Sequence, residues 1–434
     1  MALGGGTFVS QNKVLPGSYI NIISTATADA SLGDRGTVAM ALDLDWGIDN
    51  EVFILTRADF QTKSRELLGY EYGHEKLRGL RDLFLNAREL VAYKLTSGGE
   101  KAQNEYAVAK HGGVRGNDLM IQIQDVPGNA GEFVVTTLLG TSPVDEQVVT
   151  NANELVSNAF VDFQESFNLA SNAGKPLTGG ANGEIDGASH QAFLDKAESQ
   201  MFNVIAAPTV DTPIINLYTA YTERLRDDQG KKFQAVLYNA PANYEGVINV
   251  KNEVLNDENK ASLVYWVAGL EAAKGVNESA LNDIYNGEFE ADVEFTQTEL
   301  EQAIKAGEFT LHLVGQDVRV LSDINSLVSI TADKGKVFQD NQTVRIVDQI
   351  ANDIAALFSN KYLGVVPNDQ SGRVSLQADI VSHHQALQDI RAIEGFAEDD
   401  VTVVQGNDKK SVVVTDAITI VNTMEKLYMT VVVS

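Results

Sequence analysis

The chain has 434 residues, 44% hydrophobic and 21% charged, with a formal charge of −27 and no cysteine. That length and balance suit a soluble, globular protein of two to four domains. Its acidity argues against nucleic acid or anionic lipid as a partner, and the missing cysteines exclude disulfides, thiolate catalysis and thiolate metal sites. No signal peptide is visible at residues 1–11, and no apolar run approaches the roughly 18 residues of a membrane span. The chain is expected to be made in the cytoplasm and to stay soluble there, without inserting into a membrane.

Residues 1–24 open with Gly4-Gly5-Gly6 and continue as short β-prone pieces around Phe8, Val9, Tyr19, Ile20 and Ile22, broken by Pro16-Gly17. Such pieces do not make a core, so the segment reads as an extended arm in need of a partner. Residues 25–95 mix both periods. Strands are expected over 37–44, 51–55 and 89–95, with a helix over 75–86 that puts Leu77, Leu80, Leu83 and Phe84 on one face. Residues 96–178 carry short strand signals at 101–110, 119–125, 132–139 and 146–150, separated by Gly112-Gly113, Gly116-Asn117-Asp118 and Pro127-Gly128-Asn129. That spacing predicts a β-sandwich insertion.

Residues 179–330 alternate strand and helix. Phe193, Leu194, Ala197 and Met201 form a helical stripe, followed by a strand at 203–207 and a helix through Leu217, Tyr221 and Leu225. Further strands are expected at 233–238 and 247–250, and a helix over 261–274. This order favours an α/β domain with a mainly parallel sheet. In residues 331–416, Val344, Val347, Ile350, Ile354, Leu357 and Phe358 mark one helix, and Ile380, Leu387 and Ile390 a second. A hairpin through Val401, Val403, Val412 and Val414 turns at Gly406-Asn407-Asp408. Residues 417–434 are almost pure β-former, through Ile418, Ile420, Leu427, Met429 and Val431, with Glu425 and Lys426 as the only charges. An apolar terminal strand is an aggregation hazard unless its edge is occupied. It either pairs within its own domain or, with a second arm at the N-terminus, is exchanged between subunits.

Signatures of catalysis are missing. There is no phosphate-binding loop, no nucleophile elbow and no His pair at metal-ligand spacing, so no catalytic, cofactor or metal residue is assigned. The adjacent His383 and His384 read as solvent-facing. Asn182, Glu184, Asp186 and Gly187 imitate the start of a Ca²⁺ loop, but Phe193 replaces the twelfth-position Glu, and the stretch reads as a structural turn. Asp186, His190 and Ser279 supply a hydrolase triad in name only, because Ser279 has no activating context.

Taken in order, several landmarks resemble phage contractile tail sheath proteins of Gram-positive phages and phage-tail-like bacteriocins. They are Gly4 to Phe8 with Lys13 to Asn21; Leu177 to Gly187 and Phe202 to Pro208; Trp266-Val267-Ala268-Gly269 with Val276 to Ser279; Asp323 to Leu327; and Arg345 to Asp348 with Tyr362-Leu363-Gly364 and Gly372-Arg373. The resemblance implies a multidomain α/β and α+β fold: an N-terminal arm (1–24), an α/β region (25–95), a β-sandwich (96–178), a subtilisin-like domain without protease function (179–330), an α+β C-terminal domain (331–416) and a C-terminal arm strand (417–434). It implies a structural, non-enzymatic subunit that stacks as hexameric rings around a tail tube and contracts to drive the tube through a bacterial envelope. Implied partners are other copies of the chain, the tube protein, the baseplate and the tail terminator, in a virion or tail-like particle assembled in the host cytoplasm. The hairpin would accept the arm of a neighbour, and Asp389, Arg391 and Glu394 are the candidate tube contact. Gly4-Gly5-Gly6 and Asp416-Ala417 are the expected flexible points. The rival readings are a subtilisin-like hydrolase and a monomeric β-sandwich adhesion module.

Overall fold

The computed structural model describes residues 32–433. In chain order the elements are β1 (Thr37–Leu42), β2 (Val52–Thr56), α1 (Arg57–Leu68), α2 (Arg78–Phe84) and β3 (Glu89–Lys94). Then come β4 (Ala107–Ala109), β5 (Leu119–Asp125), β6 (Phe133–Leu139), β7 (Ser142–Val149), β8 (Val161–Phe163) and β9 (Asn172–Pro176). The chain continues with α3 (Gly187–Ala197), β10 (Val204–Ala207), α4 (Thr212–Glu223), β11 (Gln234–Tyr238), β12 (Val247–Val250), α5 (Leu263–Ala273) and α6 (Gln297–Lys305). It ends with β13 (Glu308–Phe309), β14 (Leu311–Val314), β15 (Asp317–Val320), α7 (Asn341–Leu357), α8 (Gln370–Asp389), β16 (Ile393–Glu394), β17 (Val401–Gln405), β18 (Val412–Asp416) and β19 (Thr419–Ile420). The described residues fall into two compact units: 33–351 with 420–433, and residue 32 with 352–419.

The first unit is built on a seven-stranded sheet in the order β13-β12-β11-β10-β1-β3-β2, parallel except for the edge pair β2/β3. Its strands read as continuous apolar runs because both faces are covered. Period two divides each strand between two cores. Val38, Met40, Val204, Ala206, Val236 and Ile248 face α2 and α5; Ala39, Ala41, Ile205, Ala207, Ala235 and Leu237 face α3 and α4. The expected separation of 25–95 from 179–330 is therefore corrected. β1 lies between β3 and β10, so both stretches build one sheet, and the chain from β4 to β9 interrupts it. The sequence reading missed α1, β8, β9, α6 and β13 to β15. It also extended the stripe of α3 too far: the helix ends at Ala197, and Met201 lies beyond it, 72% exposed.

The interruption is the β-sandwich. Its larger sheet, β7-β6-β5-β9, is antiparallel, and alternate residues Leu119, Ile121 and Ile123 of β5 enter a separate core with Val135, Phe160 and Val161. Of the strand expected over 101–110, only β4 forms, paired with β8. Where the insertion joins the sheet domain, the two crossing chains touch backbone to backbone. A Cβ on Gly183 would overlap the Ser97 carbonyl oxygen, which is why the glycine run stands there. Asn182 donates to Asp45 Oδ1 (2.8 Å), and Tyr70 (2.6 Å) and Lys76 donate to Asp45 Oδ2. The imitated Ca²⁺ loop is thus a joint between domains, with Asp186 capping α3 through the Ser189 N–H (2.9 Å). Among the described residues no cluster of His, Asp and Glu fits a metal ion, and no helix is long and apolar enough to cross a membrane.

In the second unit, α8 packs Leu376, Ile380 and Val381 against Leu357, Tyr362 and Val401. The expected solvent-facing His383 and His384 are both buried. His383 Nε2 meets Asp353 of α7 at 2.9 Å, and His384 Nε2 meets Asp416 of β18 at 2.8 Å. Adjacent residues do point to different faces of a helix, but here both faces are covered. The two Nδ1 atoms lie 3.3 Å apart, so the rings also touch each other. Asp416, expected at a flexible point, is held by this pair. Gly4-Gly5-Gly6 and the N-terminal arm residues lie outside the described residues.

Candidate inter-subunit surfaces

The hairpin forms where the sequence placed it. β17 and β18 pair from Val401↔Asp416 to Gln405↔Val412 as an isolated two-stranded sheet. Val401 is buried, and Val403 and Val412 pack beside it against α8. On the opposite face Thr402, Val404, Val413 and Thr415 are exposed. Among the described residues no third strand pairs with either outer edge, and neither strand holds a proline to block one. A two-stranded hairpin is marginal alone and is a template for further strands.

The C-terminal segment departs from expectation. The sequence predicts a strand over most of 417–434, but only Thr419–Ile420 is in one, and residues 421–433 adopt no regular structure. β19 pairs with β16, and among the described residues no strand edge accepts the chain beyond Ile420. Leu427, Tyr428 and Val433 are 86%, 90% and 89% exposed, and Met429 and Val431 are similar. Such an exposed run of mainly apolar residues is unusual for a chain that stays single.

The C-terminal end of α8 holds the third candidate group. Asp389, Arg391 and Glu394 are all exposed, and no side-chain bond of theirs is seen among the described residues. Arg391 sits at φ 63°, in the left-handed region. Its N–H bonds Gln388 O (2.9 Å) and the next N–H bonds Leu387 O (2.9 Å), a helix-ending turn that ordinarily selects glycine.

The named triad does not assemble. Asp186 caps α3, His190 Nδ1 bonds the buried Tyr218 hydroxyl (3.1 Å), and Ser279 Oγ donates to Asp323 (3.1 Å). Ser279 belongs to a buried network that the sequence reading overlooked. Arg345 of α7 bridges Glu271 of α5 and Asp323 (2.7 Å), and Asp323 also accepts from the Ala280 N–H (2.9 Å) and Asn341 (2.9 Å). Burial and the neighbouring Asp323 push the Glu271 carboxyl well above the usual carboxylate range. Burial works against ionisation of Asp323 too, but Arg345 and the bonds from Ala280 and Asn341 hold it below that range. One buried guanidinium thus faces two carboxyl groups whose proton affinities are pushed in opposite directions. One turn along, Arg226 grips Asp348 with both terminal nitrogens, fixing the same face of α7. The partners lie 18 to 122 residues apart in sequence, so no local spacing announces the network, although Asp323 and Arg345 both stand in the landmarks noted above.

Asp340 caps α7 through the Thr343 N–H (2.9 Å). Burial pushes its carboxyl up to about 6, against the pull of that N–H. A carboxyl raised in the folded state binds its proton more tightly there than when unfolded. Its contribution to stability is therefore most favourable below pH ~4 and declines until the pH exceeds about 6. Between pH 4 and 8 the native chain should lose about 2 kcal/mol that Asp340→Asn, which keeps the capping oxygen, does not lose. Urea unfolding midpoints at the two pH values check this; equal losses in both chains would remove Asp340 as the source.

Three family models match in succession: the phage tail sheath protein beta-sandwich domain over 97–182, the central domain over 183–326 and the C-terminal domain over 333–434. The crystal structure of a sheath tail protein from Desulfitobacterium hafniense is 35% identical, with TM-score 0.82, covering 95% of this chain and 99% of that one. The phage-like element PBSX protein XkdK of Bacillus subtilis is 31% identical over 98% of this chain and 99% of its own length. The helical sheath of the anti-feeding prophage in its contracted state shares the fold, at TM-score 0.56 and 13% identity over 97% of this chain and 99% of that one.

Proposed function

Because this chain belongs to the phage tail sheath protein family, we propose that it polymerises as stacked hexameric rings around a tail tube and contracts to drive the tube through a bacterial envelope. The observation that carries this reading is the pairing of supply and demand within one sequence. An apolar arm lacks a strand partner, and a hairpin offers two open edges. Backbone hydrogen bonds from an added strand give affinity, and alternate side chains give register. Paired arms stay bonded while subunits rotate and move outward, so contraction needs no separation of subunits. The N-terminal arm through Phe8, Val9, Tyr19, Ile20 and Ile22 is the second strand of the same exchange. Nucleotide is not required, since the free-energy difference between extended and contracted states adds over many subunits.

The sheet domain is read as a subtilisin-like scaffold without protease function. Asp186, His190 and Ser279 serve structure there, and the protein is not an enzyme. Further partners are the tube protein, the baseplate and the tail terminator, with no role for nucleic acid.

The tube contact is assigned to Asp389, Arg391 and Glu394. An exposed arginine in a turn that favours glycine is locally unfavourable, and such strain is retained where a side chain has work to do. Arg391→Gly is expected to stabilise the isolated subunit by up to about 1 kcal/mol while weakening assembly on tubes. Arg391→Glu should weaken it further at low salt, with the difference shrinking as salt rises. Co-sedimentation with tube protein across a salt series checks this; unchanged binding at every salt removes this helix end from the contact. The polymer itself is tested by mixing purified chain and tube protein without cofactor. Striated tubes in negative stain are expected, and a chain that stays monomeric at every concentration would contradict the reading.

A further inference from the structure

The C-terminal arm does not leave the first unit freely. On the first turn of α7, Gln342 is 1% exposed and spends its whole side-chain amide on the arm's root. Its Nε2 donates to Val421 O (3.2 Å), and its Oε1 accepts from the Thr423 N–H (3.1 Å). These are the two groups that a neighbouring strand would bond on an extended chain, so one side chain imitates a strand partner. Next to it, the buried Thr343 hydroxyl meets the Asn422 side-chain amide (3.1 Å). Ser322 Oγ reaches Glu425 at 3.4 Å. Beyond Glu425 the arm is exposed as far as Val433.

The base under these contacts is rigid. Asn341 is tied to Asp323 and Gln234, Arg345 to Asp323 and Glu271, and Asp340 caps the helix at Thr343. A buried glutamine whose donor and acceptor both serve a solvent-exposed tail contributes little to the core itself. Its bonds fix where, and in which direction, the tail departs.

We propose that Gln342 and Thr343 are positioning residues for the C-terminal arm, clamping Val421 to Thr423 so that the arm leaves in one direction and reaches one neighbouring copy of this chain. This rests on the arm-pairing reading above. From Met424 to Val433 the arm has ten residues and spans at most about 33–36 Å. Over the span of these ten residues, the direction of departure decides which acceptor edge they can meet, and a fixed root raises their local concentration there.

The test uses the full chain, whose lack of cysteine makes introduced labels unique. Spin labels at Met201→Cys and Leu427→Cys, both exposed, report the distance from the sheet domain to the arm in the monomer. The otherwise unaltered chain is expected to give one narrow distribution. Gln342→Ala with Thr343→Ala should broaden it and reduce assembled sheath at concentrations where the parent assembles. Gln342→Glu, which keeps the acceptor and loses the donor, should broaden it less. Thermal melting and hydrogen exchange of the sheet domain establish that each variant is folded; if the double variant is not, the Glu variant carries the comparison. An unbroadened distribution in the folded variants overturns the clamp. A broadened one with undiminished assembly overturns its role in aiming the arm. Failure of the arm-pairing reading shows separately, as absence of any inter-chain cross-link from Leu427→Cys in sheath of the parent sequence.

Discussion

Cutting the chain after Thr423 is expected to leave a folded subunit that makes no sheath. The removed residues include Met424, Leu427, Tyr428, Met429, Val431, Val432 and Val433, all strongly exposed, so the cores described for both units lose nothing. The melting curve and the urea midpoint should stay within error of the full chain. Assembly, by contrast, loses every contact the arm would make. A fully buried Val, Leu or Met side chain contributes about 1.5–3 kcal/mol. Losing two of them changes an association constant by roughly two to four orders of magnitude. Sedimentation and negative-stain images of the truncated chain with tube protein should show monomers only. Leu427→Pro, which removes one backbone donor, should act in the same direction and less completely. Aggregation or unfolding of the truncated monomer would instead mean that the segment belongs to the chain's own core.

Replacing Arg345 by alanine should have the largest effect on stability. The guanidinium is fully buried, and its loss leaves the Asp323 carboxylate in the interior without its cation. Breaking a buried pair from one side costs about 3–5 kcal/mol, a large share of what a domain has to lose. Glu271→Gln is the informative contrast. If Glu271 is held neutral by burial and by Asp323, its amide is nearly isosteric with the form already present, and the cost should stay near 1 kcal/mol. Urea unfolding of both variants decides the matter. Equal, large losses would mean that Glu271 is ionised and that the charge balance of the network is different.

Apolar periodicity carried most of the fold. The strands at 119–125, 204–207, 234–238 and 247–250 and the stripe of α7 stand within a residue or two of where the pattern puts them, because burial on one or two faces is what the pattern records. Long-range sheet order was not legible: nothing local says that β1 will lie beside β10, over 160 residues away, and so one sheet was read as two regions. The buried polar groups were missed for a related reason. His383 and His384 look solvent-facing until Asp353 and Asp416 are brought to them, and Gln342 looks like a helix surface residue until Val421 and Thr423 return to it. Of the candidate surfaces, the hairpin was legible from its alternating valines and turn residues. The arm's composition was legible as well, but its lack of strand structure in the single chain was not, since β-propensity describes what a segment does once an edge is available.

The central claim, that the C-terminal arm of one copy adds a strand to the hairpin of another, is tested most directly by cross-linking in assembled sheath. Two cysteine variants, Leu427→Cys and Val404→Cys, carried on separate chains with different affinity tags, are mixed, assembled on tubes and oxidised. The account predicts a disulfide joining the two tags, which appears only after assembly. A doubly substituted chain that closes the same bond within itself in assembled sheath, with no product joining the two tags, would contradict it.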